Sequence, residues 1–112
     1  MDCLFCKIIA GDIPSTKVYE DEYCYAFRDI NPQAKCHVVL VPKKHVADIC
    51  EAAALDHEIL AAMIRATGKI ADLEGLGNGF RVVSNCGPDA CQTVKHWHIH
   101  VLGGEHLGER MA

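Results

Sequence analysis

The chain has 112 residues, of which half are hydrophobic and 23% are charged, and this predicts one globular domain over residues 1–112. The net charge of -4 argues against a broad basic surface for nucleic acid. No apolar run suits a membrane span and the first residues lack a secretory-signal pattern, so we expect a cytoplasmic protein that binds neither membrane nor nucleic acid.

The first half of the chain alternates short apolar segments with turn residues. Residues 3–9 predict a short N-terminal helix. Residues 17–20 and 23–28 predict the two strands of a hairpin. Residues 37–41 are dense in β-branched side chains and predict a central third strand, which Pro42 ends.

The second half predicts one long helix and the last two strands. Residues 46–54 favour a short helical connection, and from Leu55 to Leu73 the apolar residues recur at helical spacing. Residues 80–84 and 93–102 predict strands four and five. The sum is an α+β fold, with a five-stranded antiparallel sheet, one long helix on one of its faces and a short N-terminal helix.

Three histidines alternate with apolar residues in the fifth predicted strand, which reads His96-Trp97-His98-Ile99-His100-Val101-Leu102. In an extended strand the three imidazoles share one face and the bulky apolar residues share the other. Imidazole titrates near neutral pH, so this row favours a functional site over the alternatives of an exposed strand face or a metal-binding tract.

Seven cysteines are present, and their odd number argues against a secreted disulfide framework. Most are expected to behave as small, reduced apolar residues. Cys3 and Cys6 form a Cys-x-x-Cys pair. The pair has two interpretations, a redox dithiol or two ligands of a zinc site, and a redox motif normally follows a strand.

From Cys3 to Gly104 the chain resembles the histidine-triad (HIT) family of nucleotide hydrolases and transferases. The run that begins at His96 matches the family motif, His-x-His-x-His followed by two apolar residues. The chain is most similar to the Hint-like branch, the purine nucleoside phosphoramidases. The resemblance implies a HIT-like fold and a homodimer in which two sheets join into one.

The resemblance also implies hydrolysis of the bond between an AMP-like purine nucleoside monophosphate and an amine or other leaving group. His98 would attack the α-phosphorus to form a nucleotidyl-histidine intermediate, which water then hydrolyses. His100 would contact the phosphate oxygens, and His37 and Thr93 match further catalytic positions. The residues that match nucleotide-binding positions are Phe5, Ile8, Phe27, Asp29, Ile30, Asn85, Gln92, Thr93, His98 and His100.

These residue types suit a nucleotide. An apolar slot can hold a purine, the Asp29 carboxylate can accept from ribose hydroxyls, and neutral donors such as Asn85 can stabilise charge on phosphoryl oxygens. Cys91 stands where this branch commonly has glycine, so a side chain there is expected to narrow the pocket or alter the loop.

Bacterial-type HIT proteins resemble this chain in the opening Cys-x-x-Cys. Their other two ligands are a histidine in a Pro-x-x-His segment, matched here by residues 42–45, and the first histidine of the triad. The resemblance therefore implies a structural zinc ion held by Cys3, Cys6, His45 and His96.

Three other functions remain open from the sequence. One is a dinucleoside polyphosphate hydrolase of the same superfamily, for which Lys43, Lys44 and Lys95 lie near the motifs. Another is a nucleotide-binding or scaffold protein with little turnover, although pure binding does not require the imidazole of His98. The third is a metal-storage or metal-sensing module, which would leave the ordered triad and the loop from Asn85 to Thr93 unexplained.

Overall fold

A computed structural model describes residues 3–111 and contains three α-helices and five strands in that range. This confirms the predicted α+β architecture. Every predicted strand and both predicted helices are present, with bounds that differ at the ends. In chain order the elements are α1 (Leu4–Ile9), β1 (Lys17–Glu20), β2 (Cys24–Arg28), β3 (Cys36–Pro42), α2 (Ile49–Ala52), α3 (His57–Leu73), β4 (Phe80–Val83) and β5 (Ile99–Gly103).

The five strands form one antiparallel sheet in the order β1-β2-β3-β5-β4. Strand β3 lies in the middle, where Leu40 pairs with Ala26 of β2 and with Ile99 of β5. All seven residues of β3 are buried. A strand that is buried on both faces needs an almost continuous apolar run, which explains the density of valine and leucine there.

Helix α3 covers one face of the sheet. It presents one residue per turn to the core because Ile59, Met63, Ala66 and Ile70 recur at three- and four-residue spacing. The strands contribute alternate residues to the same core, among them Val38, Leu40, Ile99 and Val101. The prediction of one long helix packed on one face of the sheet is therefore confirmed.

Helix α1 covers part of the opposite face, so the sheet carries helices on both sides. Phe5 and Ile8 of α1 belong to a second apolar cluster together with Phe27, Val39 and Val41. A helix of six residues is not stable alone in water. Its attachment to the sheet must therefore come from this burial and from contacts made at its ends.

The last strand is shorter than predicted. It begins at Ile99, not at Thr93. The reason is tertiary, because the Trp97 N–H donates to the carbonyl oxygen of Val46 at 2.7 Å in place of a neighbouring strand. His96 and His98 therefore lie in an irregular segment before the strand, and only His100 lies within the ladder.

Helix α3 begins at His57 and α2 spans four residues, so the predicted helical bounds at Leu55 and at residues 46–54 were too wide. Among the helices of residues 3–111, none combines the length and the apolar character that crossing a bilayer requires.

Candidate functional site

A cleft of about 280 Å³ lies on the sheet face opposite α3, beside α1. The irregular segment that follows β4 also borders it. Of the predicted nucleotide-binding residues, all except Gln92 line this cleft. They are Phe5, Ile8, Phe27, Asp29, Ile30, Asn85, Thr93, His98 and His100.

The lining combines an apolar wall with polar groups that meet it at one side. Phe5 contacts Phe27 and His98 edge to face, with ring centroids 5.5 and 5.0 Å away. Ile30 lies on the rim with its side chain fully exposed. An exposed isoleucine beside an apolar slot can cover a planar ligand.

A larger and more open hollow of about 470 Å³ lies elsewhere, between the edge strand β4 and residues 104–108. Arg81 holds the tail against this edge, since its Nη2 donates to the carbonyl oxygen of Gly108 at 2.7 Å. None of the predicted site residues lines this hollow. Size alone is therefore a poor guide to the site, because it is the smaller cleft that the predicted site residues line.

The backbone fixes the tautomer of His98. Its Nδ1 lies 2.7 Å from the carbonyl oxygen of His96, which can only accept, so the proton is on Nδ1. In the neutral ring the lone pair is then on Nε2. The side chain is buried within the segment and adjoins His100, with ring centroids 5.0 Å apart.

His37 and His100 form a hydrogen-bonded pair whose direction follows from the backbone. The Gln33 N–H donates to His37 Nδ1 at 3.0 Å, so the proton of neutral His37 is on Nε2. That Nε2–H donates to His100 Nδ1 at 2.8 Å. The remaining proton of His100 is therefore on its Nε2, where it is available to donate to a ligand.

Burial keeps this pair neutral. It lowers the pKa of His100 to about 4, with further lowering from the adjacent His98 and His37. Burial also lowers the pKa of His37, against the opposing effect of the Asp29 carboxylate. Asp29 Oδ2 lies 3.4 Å from His37 Nε2, and Oδ1 accepts from the Asn31 N–H at 2.8 Å.

The side chain of Gln92 bonds within the protein. Its Nε2 donates to the carbonyl oxygens of Ala47 and Val94 at 2.7 and 3.0 Å, and its Oε1 accepts from the Gly87 N–H at 3.0 Å. These bonds shape the loop that carries Asn85 and position it against residue 47. A contact of Gln92 with nucleotide stays a prediction.

Ser84 is a positioning residue that the sequence did not reveal. Its hydroxyl donates to the carbonyl oxygen of His98 at 3.1 Å and accepts from the Trp97 indole N–H at 3.2 Å. It therefore ties the end of β4 to the backbone of the triad segment. A serine at the end of a predicted strand gives no signal for this, since both partners come from residues 13 and 14 positions away.

Cys91 lines the cleft in a left-handed conformation, with φ 56° and ψ 46°. A residue with a Cβ carries a cost of about 1–2 kcal/mol in this region, and glycine does not. This accounts for the glycine that the Hint-like resemblance implies here. The cysteine retains the turn and places a thiol on the cleft.

The four predicted metal ligands meet at one point. Cys3 Sγ, Cys6 Sγ, and one ring nitrogen each of His45 and His96 lie within 4.8 Å of one another. The Nδ1 atoms of His45 and His96 are 3.1 Å apart. Cys3 Sγ lies 3.4 Å from His96 Nδ1, and Cys6 Sγ lies 3.4 and 3.5 Å from the Nδ1 atoms of His45 and His96. Around a tetrahedral zinc ion, two nitrogen ligands lie about 3.3–3.4 Å apart, and a nitrogen and a sulfur ligand lie about 3.5–3.6 Å apart.

The surroundings orient these donors for a cation. His96 is fully buried, and its Nε2 lies 2.8 Å from the Pro42 carbonyl oxygen, which places the proton there and leaves Nδ1 to face the sulfurs. Burial and the neighbouring Cys3 raise the pKa of the Cys6 thiol to about 11, a direction that a bound cation would reverse. The donor set and its geometry therefore fit a metal ion.

Comparison with known proteins decides the family, since the HIT domain model matches residues 10–107. The chain belongs to the HIT family. It is 46% identical over 106 residues to the 14 kDa zinc-binding protein of Zea mays, covering 93% of this chain and 83% of the relative. It is 42% identical over 106 residues to Adenylylsulfatase HINT1 of Arabidopsis thaliana, covering 93% and 72%.

A solved HIT family hydrolase from Clostridium thermocellum shares the fold. The two structures superpose with a TM-score of 0.94 at 43% sequence identity, over 99% of this chain and 97% of the other. The predicted HIT-like fold is thereby confirmed along nearly the whole chain, including α1 and the segment that carries the triad.

Proposed function

We propose that this HIT protein hydrolyses purine nucleotides at the α-phosphorus, releasing a nucleoside monophosphate and an amine. The observation that carries the proposal is His98. Its Nδ1 proton is held by a backbone carbonyl, so the Nε2 of the neutral ring is a free nucleophile beside the cleft.

In the first step His98 Nε2 attacks the α-phosphorus. A bond forms between this nitrogen and phosphorus, and the bond between phosphorus and the leaving nitrogen breaks with its electron pair. In the second step water attacks phosphorus and displaces His98. The net reaction consumes one water, whose proton and hydroxyl end on the amine and the phosphate. A covalent route replaces one difficult displacement with two easier ones.

The neighbouring groups suit the charge on the phosphate. The Nε2–H of His100 is available because His37 occupies its Nδ1. Asn85 and Thr93 also line the cleft and offer neutral donors. Preorganised donors of this kind stabilise developing phosphoryl charge without reorganising during the reaction.

The apolar end of the cleft suits the nucleoside. The rings of Phe5 and Phe27, together with exposed Ile30, form a slot for a purine. Asp29 lies on the same lining, where its carboxylate can accept from ribose hydroxyls.

The test compares wild type and His98→Ala on a fluorogenic adenosine phosphoramidate. We expect turnover to fall by at least about a thousandfold in the variant, as for loss of other catalytic nucleophiles. Adenosine monophosphate should still bind the variant in calorimetry. His106→Gln, which removes an exposed imidazole outside the cleft, serves as the matched control. Equal slow release by all three proteins would contradict nucleophilic catalysis and favour a binding or scaffold function.

A second leaving group has specific support. The Arabidopsis relative is named an adenylylsulfatase, and an adenylyl sulfate presents the same α-phosphorus with sulfate in place of the amine. His98 would attack in the same way. Parallel rates on the phosphoramidate and on adenylyl sulfate, each with the His98→Ala control, would rank the two substrates by kcat/KM.

We further propose that the Cys3, Cys6, His45 and His96 cluster holds one structural zinc ion. The ligand geometry and the zinc-binding relative of maize support this. With four protein ligands no position would be open for substrate, so the ion would fasten α1 to the triad segment.

Metal analysis of protein purified without a histidine tag tests the zinc site. We expect about one zinc per chain in wild type and in Cys50→Ser, a control thiol outside the cluster. We expect well under one in His45→Ala, because three ligands bind zinc more weakly than four. Wild type with well under one zinc per chain would contradict the site.

We also propose a homodimer that pairs the β4 edges of two copies. Strand β4 ends the sheet in the described part of the chain, with Phe80 and Val82 41% and 47% exposed. Light scattering should give a dimer for wild type and a monomer for Val82→Asp. Ile49→Asp, a change at an equally exposed isoleucine on α2, should stay dimeric. A monomeric wild type would contradict this assembly.

A cytoplasmic location is proposed on the chemistry of the cluster. Thiol ligands such as those of Cys3 and Cys6 persist best where glutathione and thioredoxin keep cysteines reduced. Cell fractionation with an antibody to the native protein tests the location, and recovery with secreted proteins would contradict it.

A further inference from the structure

Two cysteines outside both sites face each other. Cys50 lies on α2 and is exposed, and Cys86 follows Asn85 and is partly buried. They are separated by 36 positions in the chain, yet their sulfur atoms are 4.0 Å apart. Neither residue lines the cleft or joins the Cys3–Cys6 cluster.

The segments that carry these thiols are held together independently of the sulfurs. The Gln92 amide bridges them, because it donates to the Ala47 carbonyl oxygen at 2.7 Å and accepts from the Gly87 N–H at 3.0 Å. The Trp97 N–H also donates to the Val46 carbonyl oxygen at 2.7 Å. The two sulfurs therefore meet in a preorganised arrangement, not by the chance approach of two mobile loops.

The two sulfur atoms are close enough for a disulfide to form after a small movement. A sulfur–sulfur bond is about 2.05 Å long, so the gap must close by about 2 Å, a distance on the scale of side-chain rotation at exposed Cys50 and partly buried Cys86. Exposure of Cys50 gives a small oxidant direct access. Disulfides of intracellular proteins, where they occur, are mostly transient and redox-sensing.

We propose that Cys50 and Cys86 are a reversible modification site, which hydrogen peroxide oxidises to a disulfide that ties α2 to the segment carrying Asn85. The thiolate of Cys50 attacks one peroxide oxygen, giving a sulfenic acid and, after protonation, one water. The Cys86 sulfur then attacks the sulfenic sulfur, and the hydroxyl leaves as a second water. The two thiols lose two electrons and two protons in total, and the peroxide is reduced to two waters.

The order of the two steps follows from the surroundings. Burial raises the pKa of the Cys86 thiol, and the adjacent Cys50 and Asp48 raise it further. Cys86 is therefore a poor first nucleophile, and exposed Cys50 is the thiol that meets the oxidant first. An effect of the disulfide on catalysis would act through Asn85 and therefore rests on the proposed function. Formation of the disulfide does not depend on the proposed function.

Asp48 offers the one competing chemistry. Its carboxylate lies within 4.8 Å of both sulfurs, so the three groups could instead hold a soft divalent metal ion. However, Asp48 Oδ1 already accepts from the Glu51 N–H at 3.0 Å as the cap of α2. Cys50 is exposed, so the set is also more open than the Cys3–Cys6 cluster. These observations favour a disulfide between Cys50 and Cys86 over a metal site.

The test is thiol mapping of the purified 112-residue protein after brief treatment with equimolar hydrogen peroxide. Alkylation in denaturant should label seven thiols before treatment and two fewer afterwards. A non-reducing tryptic digest should join the peptides of residues 45–65 and 82–95. Because the second peptide also contains Cys91, the digest is repeated on Cys91→Ser, which serves as the matched control in the same loop.

The proposal expects the joined peptides in wild type and Cys91→Ser, their release by dithiothreitol, and their absence from Cys50→Ser and Cys86→Ser. Linkage of Cys50 to Cys91, or oxidation of Cys50 to sulfinic acid without any link, would overturn it. So would a second equivalent of bound zinc that Cys50→Ser loses. A link in protein that hydrolyses no nucleotide in either redox state would refute the proposed function and leave this inference standing.

Discussion

Acidification should destabilise the fold through His100, because this imidazole is neutral in the folded protein. Its pKa lies at about 4, against 6.5 for an ordinary histidine, mainly through burial. The unfolded chain therefore binds a proton near pH 6.5 that the folded chain resists until about pH 4. Since the unfolded state binds more protons in this window, the free energy of unfolding falls as the pH falls through it.

The size of the effect follows from the pKa difference. At about 1.36 kcal/mol per pKa unit the full shift corresponds to about 3.4 kcal/mol. The side chain retains contact with solvent, and screening reduces the expected loss to about 1–2 kcal/mol. The part of the folding stability that depends on neutral His100 is fully present above pH 6.5 and is lost below about pH 4.

Urea unfolding near pH 7 and near pH 4.5 measures this loss in wild type and in His100→Gln. We expect wild type to lose about 1–2 kcal/mol more than the variant between the two pH values. Titration of buried His96, whose pKa burial also lowers, affects both proteins equally and cancels in the difference. His106→Gln, at an exposed position, should keep the wild-type pH dependence. Equal losses in wild type and His100→Gln would refute the assignment of a half-buried, neutral imidazole.

Three further changes test the packing and the local geometry. Leu40→Ala, at a fully buried site between the sheet and α3, should lower the free energy of unfolding in urea by about 2–5 kcal/mol, and a loss below 1 kcal/mol would contradict the core described here. Cys91→Gly should raise the free energy of unfolding by up to about 1 kcal/mol, because relief of the left-handed strain exceeds the entropy that glycine adds to the unfolded chain. A clear fall in the free energy of unfolding would contradict the strain. Ser84→Ala should lower the free energy of unfolding by about 1–3 kcal/mol and slow turnover. The reason is that the Trp97 indole N–H loses its acceptor and the His98 carbonyl oxygen loses a donor. Unchanged turnover would show that Ser84 has only a structural role.

The local patterns predicted the elements well because each is decided by residues close together in the chain. The apolar spacing from Leu55 to Leu73 predicted α3, and the valine-rich run at residues 37–41 predicted β3. Prediction failed at the start of β5. Alternation of histidine and apolar residues reads as a strand from residue 93, but a strand also needs a partner, and the Trp97 N–H bonds to a loop instead.

The site shows the same division. The resemblance of motifs predicted that Phe5, Asp29 and His98 belong to one site, and all three line the same cleft in the structure. Gln92 was predicted to contact the nucleotide, and this stays a prediction. Only the structure shows that its side-chain amide donates to the Ala47 carbonyl oxygen and accepts from the Gly87 N–H. Ser84 was missed altogether, because a serine reveals its part only through the partners that it meets.

Residue types and short-range spacing were enough to predict the resemblance to the HIT family, the order of the elements and the chemical groups of the site. Only the folded chain shows which nitrogen of each histidine carries the proton, how four distant candidate ligands come together, and that Cys50 lies beside Cys86. Each of these depends on atoms from segments far apart in the chain. Their distances are set by the packing of the sheet against its two helices, and no local pattern encodes them.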